Sequence, residues 1–419
     1  MIRRLFIVSL SIVLLQLGCR TADDRKTIEF WTLQLSPAFN EYFTELIARY
    51  EQAHPDVRIR WVDVPYDAAV QKLLASAVAG DPPDVVNLSA DFLSKFHAMK
   101  ALADLRPAVQ TCGYTFLPNA LDLCRFDSAL VAVPWYLNTY VALYNKELLR
   151  TAGMTERDVP RTFDGLISFI RTYRQRTGKH AFFWNIGKES YLPMMLGAEG
   201  IPMTDERMTR ARFNEPAAVA AIDRWVQLYR EGFLPAESII KPGSAIVEAY
   251  QSGQVPLIFT GPVFLQRIRS NAPAIYERTG VAPAIVGAAG RHELAAMAIS
   301  VLTTSPHPAE AADFALFVTD PANQLAFSRQ TATFPSVMEA LQDSFFLQGN
   351  GSVIDAGRAV GAADLANAGR LRKYLLHPEF DRLRDAFDEA VQNACLGKVS
   401  TADALNKAAQ EWDRILEGS

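Results

Sequence analysis

Residues 28–88 read IEFWTLQLSPAFNEYFTELIARYEQAHPDVRIRWVDVPYDAAVQKLLASAVAGDPPDVVNL, and the periodicity of this stretch decides the fold class. Residues 28–33 read as a strand. From Phe39 the apolar positions are Tyr42, Phe43, Leu46, Ile47 and Tyr50, the stripe of a helix, and Pro55 stands just past its end. Val57, Ile59 and Trp61 alternate as a second strand, and Val70, Leu73, Leu74 and Ala77 form a second helical stripe. Gly80, Asp81, Pro82 and Pro83 break that helix before a short buried-type strand over 84–88. Strand, helix, strand, helix, strand requires crossover connections, so the sheet is largely parallel. Sheets of this kind hold ligands at the carboxyl ends of their strands, here Gln34, Leu35 and Ser36 after the first and Ser89, Ala90 and Asp91 after the third.

Upstream of this unit, Arg3 and Arg4 precede an apolar run over 5–17 that ends in Leu17, Gly18 and Cys19. A basic start, a short apolar centre and small residues before a cut describe a signal peptide over 1–18. At about 1.5 Å per residue the run spans roughly 20 Å, short of a ~30 Å hydrocarbon core, so a permanent membrane helix is not expected. The Gly-Cys ending resembles the lipobox of bacterial lipoproteins, with Gln16 where that family favours Leu and Leu15 one step further back. The resemblance implies a lipid on Cys19, a polar tether over 19–26, and an exported chain held at the membrane, facing periplasm or cell exterior, by that lipid only.

Without residues 1–18 about 400 of the 419 residues remain, enough for two domains. A hydrophobic share of 49% and a charged share of 21% describe an ordinary globular protein. The formal charge of −4, or −6 without Arg3 and Arg4, argues against a nucleic-acid or anionic-membrane surface. Cys112 and Cys124 flank Gly113 and Pro118, and an oxidising compartment allows them to close a local disulfide worth about 3 kcal/mol, the alternative being two free buried thiols. Cys395 reads as a small core residue.

The middle third reads as a second α/β unit, with strands expected over 141–144, 255–259 and 294–302 and helices over 163–173, 216–229 and 308–318. Residues 380–416 are helical in pattern, interrupted at Gly397. No constellation for catalysis accompanies this pattern. The six histidines are scattered, no cysteine pair has zinc spacing, and phosphate-binding glycine loops and nucleophile elbows are absent. Cofactors and metals are not expected. Scattered carboxylates leave a glycosidase pair open, although such residues are usually solvated surface.

The segment from Val133, VPWYLNTYVALYNKELLRTAGM, resembles the hinge-crossing segment of bacterial extracellular solute-binding proteins of the sugar type, the maltose-binding-protein-like receptors of ABC importers. Three further landmarks in order are similar to that family. They are GDPPDVV at 80–86, AYQSGQ at 249–254 followed by Thr260-Gly261-Pro262, and GKVSTADAL at 397–405. The resemblance covers roughly 28–416. It implies a two-lobed periplasmic-binding-protein fold with parallel or mixed sheets flanked by helices and a multi-strand hinge. The implied lobes are 27–136 with 299–335, and 137–298 with 336–419.

The same resemblance implies a non-enzymatic, monomeric receptor that closes on a mono- or disaccharide or polyol and delivers it to a membrane permease. Its implied ligand contacts are Asn138 in the crossing segment, Asp91 after the third strand and Gln34 and Ser36 after the first. An amide suits a hydroxyl pair because it both donates and accepts. Alternative roles are a hinge hydrogen bond for Asn138 and a helix cap for Asp91. Trp184 is the expected stacking platform of the second lobe, with Trp135 a further ring, Gly261 admitting ligand close to the backbone, and Phe264 following Val263, which replaces the family's tryptophan. Thr333 and Phe334 are candidate rim contacts. Within the same fold a charged solute such as a polyamine, iron or a glycerophosphodiester is the alternative ligand. An exported carbohydrate-active hydrolase, or a sensor without import, are the alternatives of other classes.

Overall fold

The structure is a computed structural model that describes residues 25–241, 243, 245–348 and 351–418. The expected signal peptide, Cys19 and most of the tether lie outside the described residues. No helix among the described residues is long and apolar enough to cross a membrane.

The opening unit folds as its periodicity requires. Strand β1 (Lys26–Leu33), helix α1 (Asn40–Ala53), β2 (Val57–Val64), helix α2 (Ala69–Ala79) and β3 (Val85–Ser89) follow one another, with β1 parallel to both β2 and β3. After α3 (Leu93–Ala98) the chain enters β4 (Val133–Thr139) and, past the single residue Tyr140, β5 (Val141–Asn145). Helices α4 (Phe163–Thr177) and α5 (Pro216–Arg230) precede β6 (Leu257–Thr260), β7 (Thr279–Pro283) and the long β8 (His292–Val301). Then come α6 (Pro308–Val318), α7 (Pro321–Thr331), β9 (Phe334–Pro335), α8 (Val353–Asp364), β10 (Ala368–Gly369), α9 (Phe380–Cys395) and α10 (Thr401–Glu417).

Two sheets organise two lobes. The larger runs β9-β4-β8-β3-β1-β2 with β10 beside β8, and the smaller runs β6-β5-β7. Side-chain alternation on β1 feeds both faces of the larger sheet. Ile28 and Phe30 pack with Phe43, Trp135, Phe314 and Phe327 on one face, and Trp31 and Leu33 with Leu88, Phe96 and Leu137 on the other. The second lobe wraps Leu143, Leu257, Trp184, Trp225, Phe387 and Trp412 into one core.

The lobe boundaries differ from expectation. Strand β4 stays in the larger sheet to Thr139, and β8 is paired there from Leu294 onward, between β3 and β4. Val337, Ala340, Phe346 and Leu365 also pack in the first lobe's cores, and β10 pairs with β8. The three crossings therefore fall at Tyr140, between Pro283 and His292, and within 347–372, where α8 packs against β7 of the second lobe while Leu365 and β10 touch the first. Hydrophobic periodicity marks a strand but not the sheet that receives it, which is why the expected boundaries put 292–298 and 336–346 on the other side, whereas helix α8 packs in the second lobe as expected. The Cys112–Cys124 disulfide is also absent, both thiols being free. Cys124 is buried in the cluster beneath one face of the larger sheet, whereas Cys112 packs against the cluster on the other.

Candidate ligand cleft

Strands β1, β2, β3 and β4 run in one direction and β8 in the other, so four carboxyl ends and the start of β8 share one edge facing the second lobe. At the β1 and β2 ends, Asp63 organises the loop that carries Gln34 and Ser36. Its carboxylate accepts from Thr32 Oγ1 at 2.6 Å and from the amides of Leu35 and Ser36 at 3.0 and 3.1 Å. Gln34 itself has a left-handed φ of 56°. Trp61 donates to Thr32 Oγ1 at 2.8 Å and stacks on Phe43 at 4.5 Å, which holds one ring at the lobe surface. Gln34, Ser36, Trp61, Asp63 and Tyr66 border an open cavity of about 680 Å³. Tyr66 is exposed and its ring lies 5.6 Å from that of Phe92, after β3.

The second part of the cleft sits at the first crossing. Asn138, Thr139, Tyr140, Tyr191, Phe259, Thr260, Gly261 and Phe264 are among the residues around a cavity of about 250 Å³. Asn138 Oδ1 accepts from the Thr139 amide at 3.1 Å, which leaves its NH₂ group for other partners. Gly261 leaves the space that the Asn138 amide fills, because a Cβ at that position would stand 2.4 Å from Asn138 Nδ2. Tyr140 and Tyr191 meet edge to face at 6.2 Å, and burial raises both phenol pKa values, keeping them neutral donors. Beneath them Glu293, at the start of β8, pairs with Arg372 at 3.5 Å. Burial raises the Glu293 pKa while Arg372 opposes the shift. Asp91 and Arg370 feel the same charges. Asp91 caps no helix, since α3 begins after Phe92 without a side-chain cap.

A cleft between two α/β lobes, lined by rings and a few polar groups, is a binding site, and comparison with known proteins gives its lineage. Residues 36–325 match the model of the bacterial extracellular solute-binding protein family. The chain belongs to that family. A periplasmic-binding protein of Synechococcus sp. MITs9220, solved alone and in complex with zinc, is similar at 32% identity and a TM-score of 0.84, covering 93% of this chain and 99% of that one. A galactooligosaccharide-binding protein of Bacillus subtilis is 22% identical over 87% of this chain and 84% of its own length. An uncharacterised lipoprotein of Streptomyces antibioticus is 25% identical over 80% and 77%. The family consists of binding proteins, which sets the hydrolase alternative aside.

In this solute-binding protein the expected contacts divide cleanly. Gln34, Ser36, Asn138, Gly261 and Phe264 line the two cavities, whereas Asp91 borders neither. Trp135 does not, being fully buried and stacked on Phe327 at 4.7 Å. Trp184 is 3% exposed, enclosed by Phe163, Tyr191 and Trp225, and reaches only a recess of about 30 Å³ that it borders with Tyr140, Tyr191 and Phe259, too small for a ligand ring. Phe334 is core and Thr333 is buried against Thr331. The rings at the cleft are Trp61, Tyr66, Tyr140, Tyr191, Phe259 and Phe264, of which sequence reasoning singles out only the last. Trp61 is hidden by its alternation with Val57 and Ile59, and Tyr140 by the continuous strand-like stretch in which the sheet changes. Glu293 and Arg372 carry no local signal, because they come together only through the second and third crossings. Among the described residues no group of three or more His, Cys, Asp or Glu is placed to hold a metal ion.

Proposed function

We propose that this solute-binding protein is the receptor of an ABC importer for a carbohydrate, captured between the lobes by bending at the three crossings and passed to a membrane permease. The observation that carries the reading is the cavity at the first crossing, where aromatic rings and uncharged polar groups converge on one space. Pyranoses present apolar faces and a hydroxyl rim, and such a surface matches both. At about 250 Å³ this cavity suits one sugar ring, which supports a ligand of mono- or disaccharide size. The galactooligosaccharide specificity of the Bacillus relative and the oligosaccharide name of the Synechococcus protein agree with the chemical class. A charged solute is not favoured, because Asp91, Glu293, Arg370 and Arg372 balance one another. The Streptomyces lipoprotein supports the lipid at Cys19.

Thermal shift and calorimetry over a panel of mono- and disaccharides, oligosaccharides, polyamines and glycerophosphodiesters test the ligand class. A sugar at 100 times its Kd stabilises the native state by about 2.7 kcal/mol. A shift with a mono- or disaccharide supports the proposal, and none with any carbohydrate at millimolar concentration refutes it. Loss of labelled-sugar uptake on deletion tests import.

A further inference from the structure

Helix α9 carries Asp388 and Gln392 four residues apart, and so one above the other on the same face. Neither side chain borders the cleft cavities, yet both hold segments that do. The Asp388 carboxylate, 6% exposed, accepts from the amides of Glu189 and Ser190 at 2.6 and 3.2 Å. One turn later Gln392 Nε2 donates to the carbonyls of Gly187 and Ile239, the second at 3.0 Å. The loop lies close on this face, since a Cβ at Gly187 would stand 2.8 Å from Gln392 Cγ.

Two observations mark the hold as more than packing. Glu189 has a left-handed φ of 48°, a conformation that a residue with a side chain keeps only where its surroundings impose it. Its amide is the one that Asp388 takes at the shorter distance. Asp388 is also a costly group to bury, because Arg384 and Asp385 on its own helix act on it only through charge and two backbone amides are its hydrogen-bond partners. An apolar side chain would fill the site at less cost, and a carboxylate is worth having there for the amides it fixes.

From this anchor the chain runs straight into the cavity wall. Ser190 Oγ donates to the Ile186 carbonyl at 3.0 Å, and the Tyr191 amide donates to the Asn185 carbonyl at 2.9 Å. The Tyr191 ring then meets Tyr140 on the wall of the 250 Å³ cavity. Glu189 in turn accepts from the Gly243 amide at 3.3 Å, and Gly243 belongs to the same wall. One face of α9 therefore sets two parts of that wall.

We infer that Asp388, assisted by Gln392, is a positioning residue of the ligand cavity: its carboxylate holds the left-handed turn at Glu189 and so places Tyr191 and Gly243 on the wall without touching ligand. This rests on the carbohydrate reading above for the identity of the ligand, and on the hydrogen bonds alone for the geometry of the wall. An asparagine at 388 keeps one acceptor and turns an NH₂ group on the second amide, whereas an alanine supplies neither.

Fluorine NMR of the intact protein labelled with 3-fluorotyrosine tests the placement without any ligand, the Tyr191 signal being assigned with Tyr191→Phe. Asp388→Ala and Gln392→Leu should shift or broaden that signal, Asp388→Asn should do so less, and Tyr250 in the core of the same lobe should stay constant. Calorimetry with D-glucose, D-galactose and maltose, at a temperature where circular dichroism shows every variant folded, should give an affinity about tenfold weaker for Asp388→Ala, the loss attached to roughly one charge-assisted hydrogen bond, and a smaller loss for Asp388→Asn. Should Asp388→Ala fail to fold, the near-isosteric Asp388→Asn decides by the same two measurements. A lowered melting temperature with the Tyr191 signal or the sugar affinity unchanged overturns the inference, since that marks a purely structural role, and leaves the carbohydrate reading intact. Failure of all three sugars to bind wild-type protein counts against the carbohydrate reading, and the Tyr191 signal then decides the positioning role by itself.

Discussion

Replacing Gly261 by Ala adds one methyl group at the point where the lobes join, and the structure says what it strikes. The glycine has no left-handed backbone to protect, so the penalty is steric. The new Cβ would lie 2.4 Å from Asn138 Nδ2, 2.5 Å from Oδ1 and 2.8 Å from Cγ, all too close for real neighbours. The Asn138 amide must swing away and lose the 3.1 Å bond from the Thr139 amide. One neutral hydrogen bond is worth about 1 kcal/mol and modest overpacking about another, so Gly261→Ala should cost roughly 2 kcal/mol. If Asn138 also meets the sugar, affinity falls about tenfold for each 1.4 kcal/mol of binding free energy removed. Urea unfolding and sugar calorimetry on wild type, Gly261→Ala, Asn138→Ala and the double variant separate these effects. Because Asn138→Ala removes the obstructing atoms, the glycine substitution should cost under about 0.5 kcal/mol in that background, a coupling of the size that touching residues show. An equal cost in both backgrounds refutes the argument, because the clash would then not be with Asn138.

The two kinds of tryptophan should separate in the same assays. Trp135→Ala should lower stability by about 3–5 kcal/mol by opening a cavity against Phe327, with sugar affinity of the folded protein retained, whereas Trp61→Ala should weaken sugar binding; the reverse pattern would overturn the placement of the two rings. Asp388, which accepts from the Glu189 and Ser190 amides leading to Tyr191, is pushed by burial up to about 6. Its folded pKa lies above the ordinary 3.8, so its contribution to stability is full below about pH 4 and lost as pH rises through about 6, a swing on the order of 3 kcal/mol. Asp388→Asn should flatten the stability–pH curve over that window, and an unchanged slope would show that the group is not titrating there. Non-reducing alkylation in denaturant should modify both Cys112 and Cys124, while in the native protein Cys124 should resist, its thiol being buried and pushed up to about 12. A mass two hydrogens short would contradict the free-thiol state.

Much of the fold was legible because each element carries its own period. The opening five elements, the helices at Pro216–Arg230 and Pro308–Val318, and the final helical pair all appear within a few residues of where the pattern places them. The site was legible in part. Gln34 and Ser36 follow from the rule that parallel strands present ligands at their carboxyl ends, and Asn138 and Gly261 from landmarks shared with the solute-binding family. Trp135 and Trp184 misled because a tryptophan reads alike in a core and at a cleft. Only its neighbours distinguish the two, and here those are Phe327 for one and Phe163, Tyr191 and Trp225 for the other.

By itself, then, the stretch 28–88 determined a parallel α/β unit with its strand ends along one edge, since strand and helix periods are local properties of the chain. Which strand joins which sheet is not local. Residues 292–298 are apolar enough for either lobe, and only pairing on both sides, with β3 and with β4, places them in the first. The same tertiary choice decided the chemistry of the cleft. Glu293 and Arg372 are 79 positions apart in the chain and 3.5 Å apart in space. No spacing rule links them, because what brings them together is three returns of the chain through one hinge.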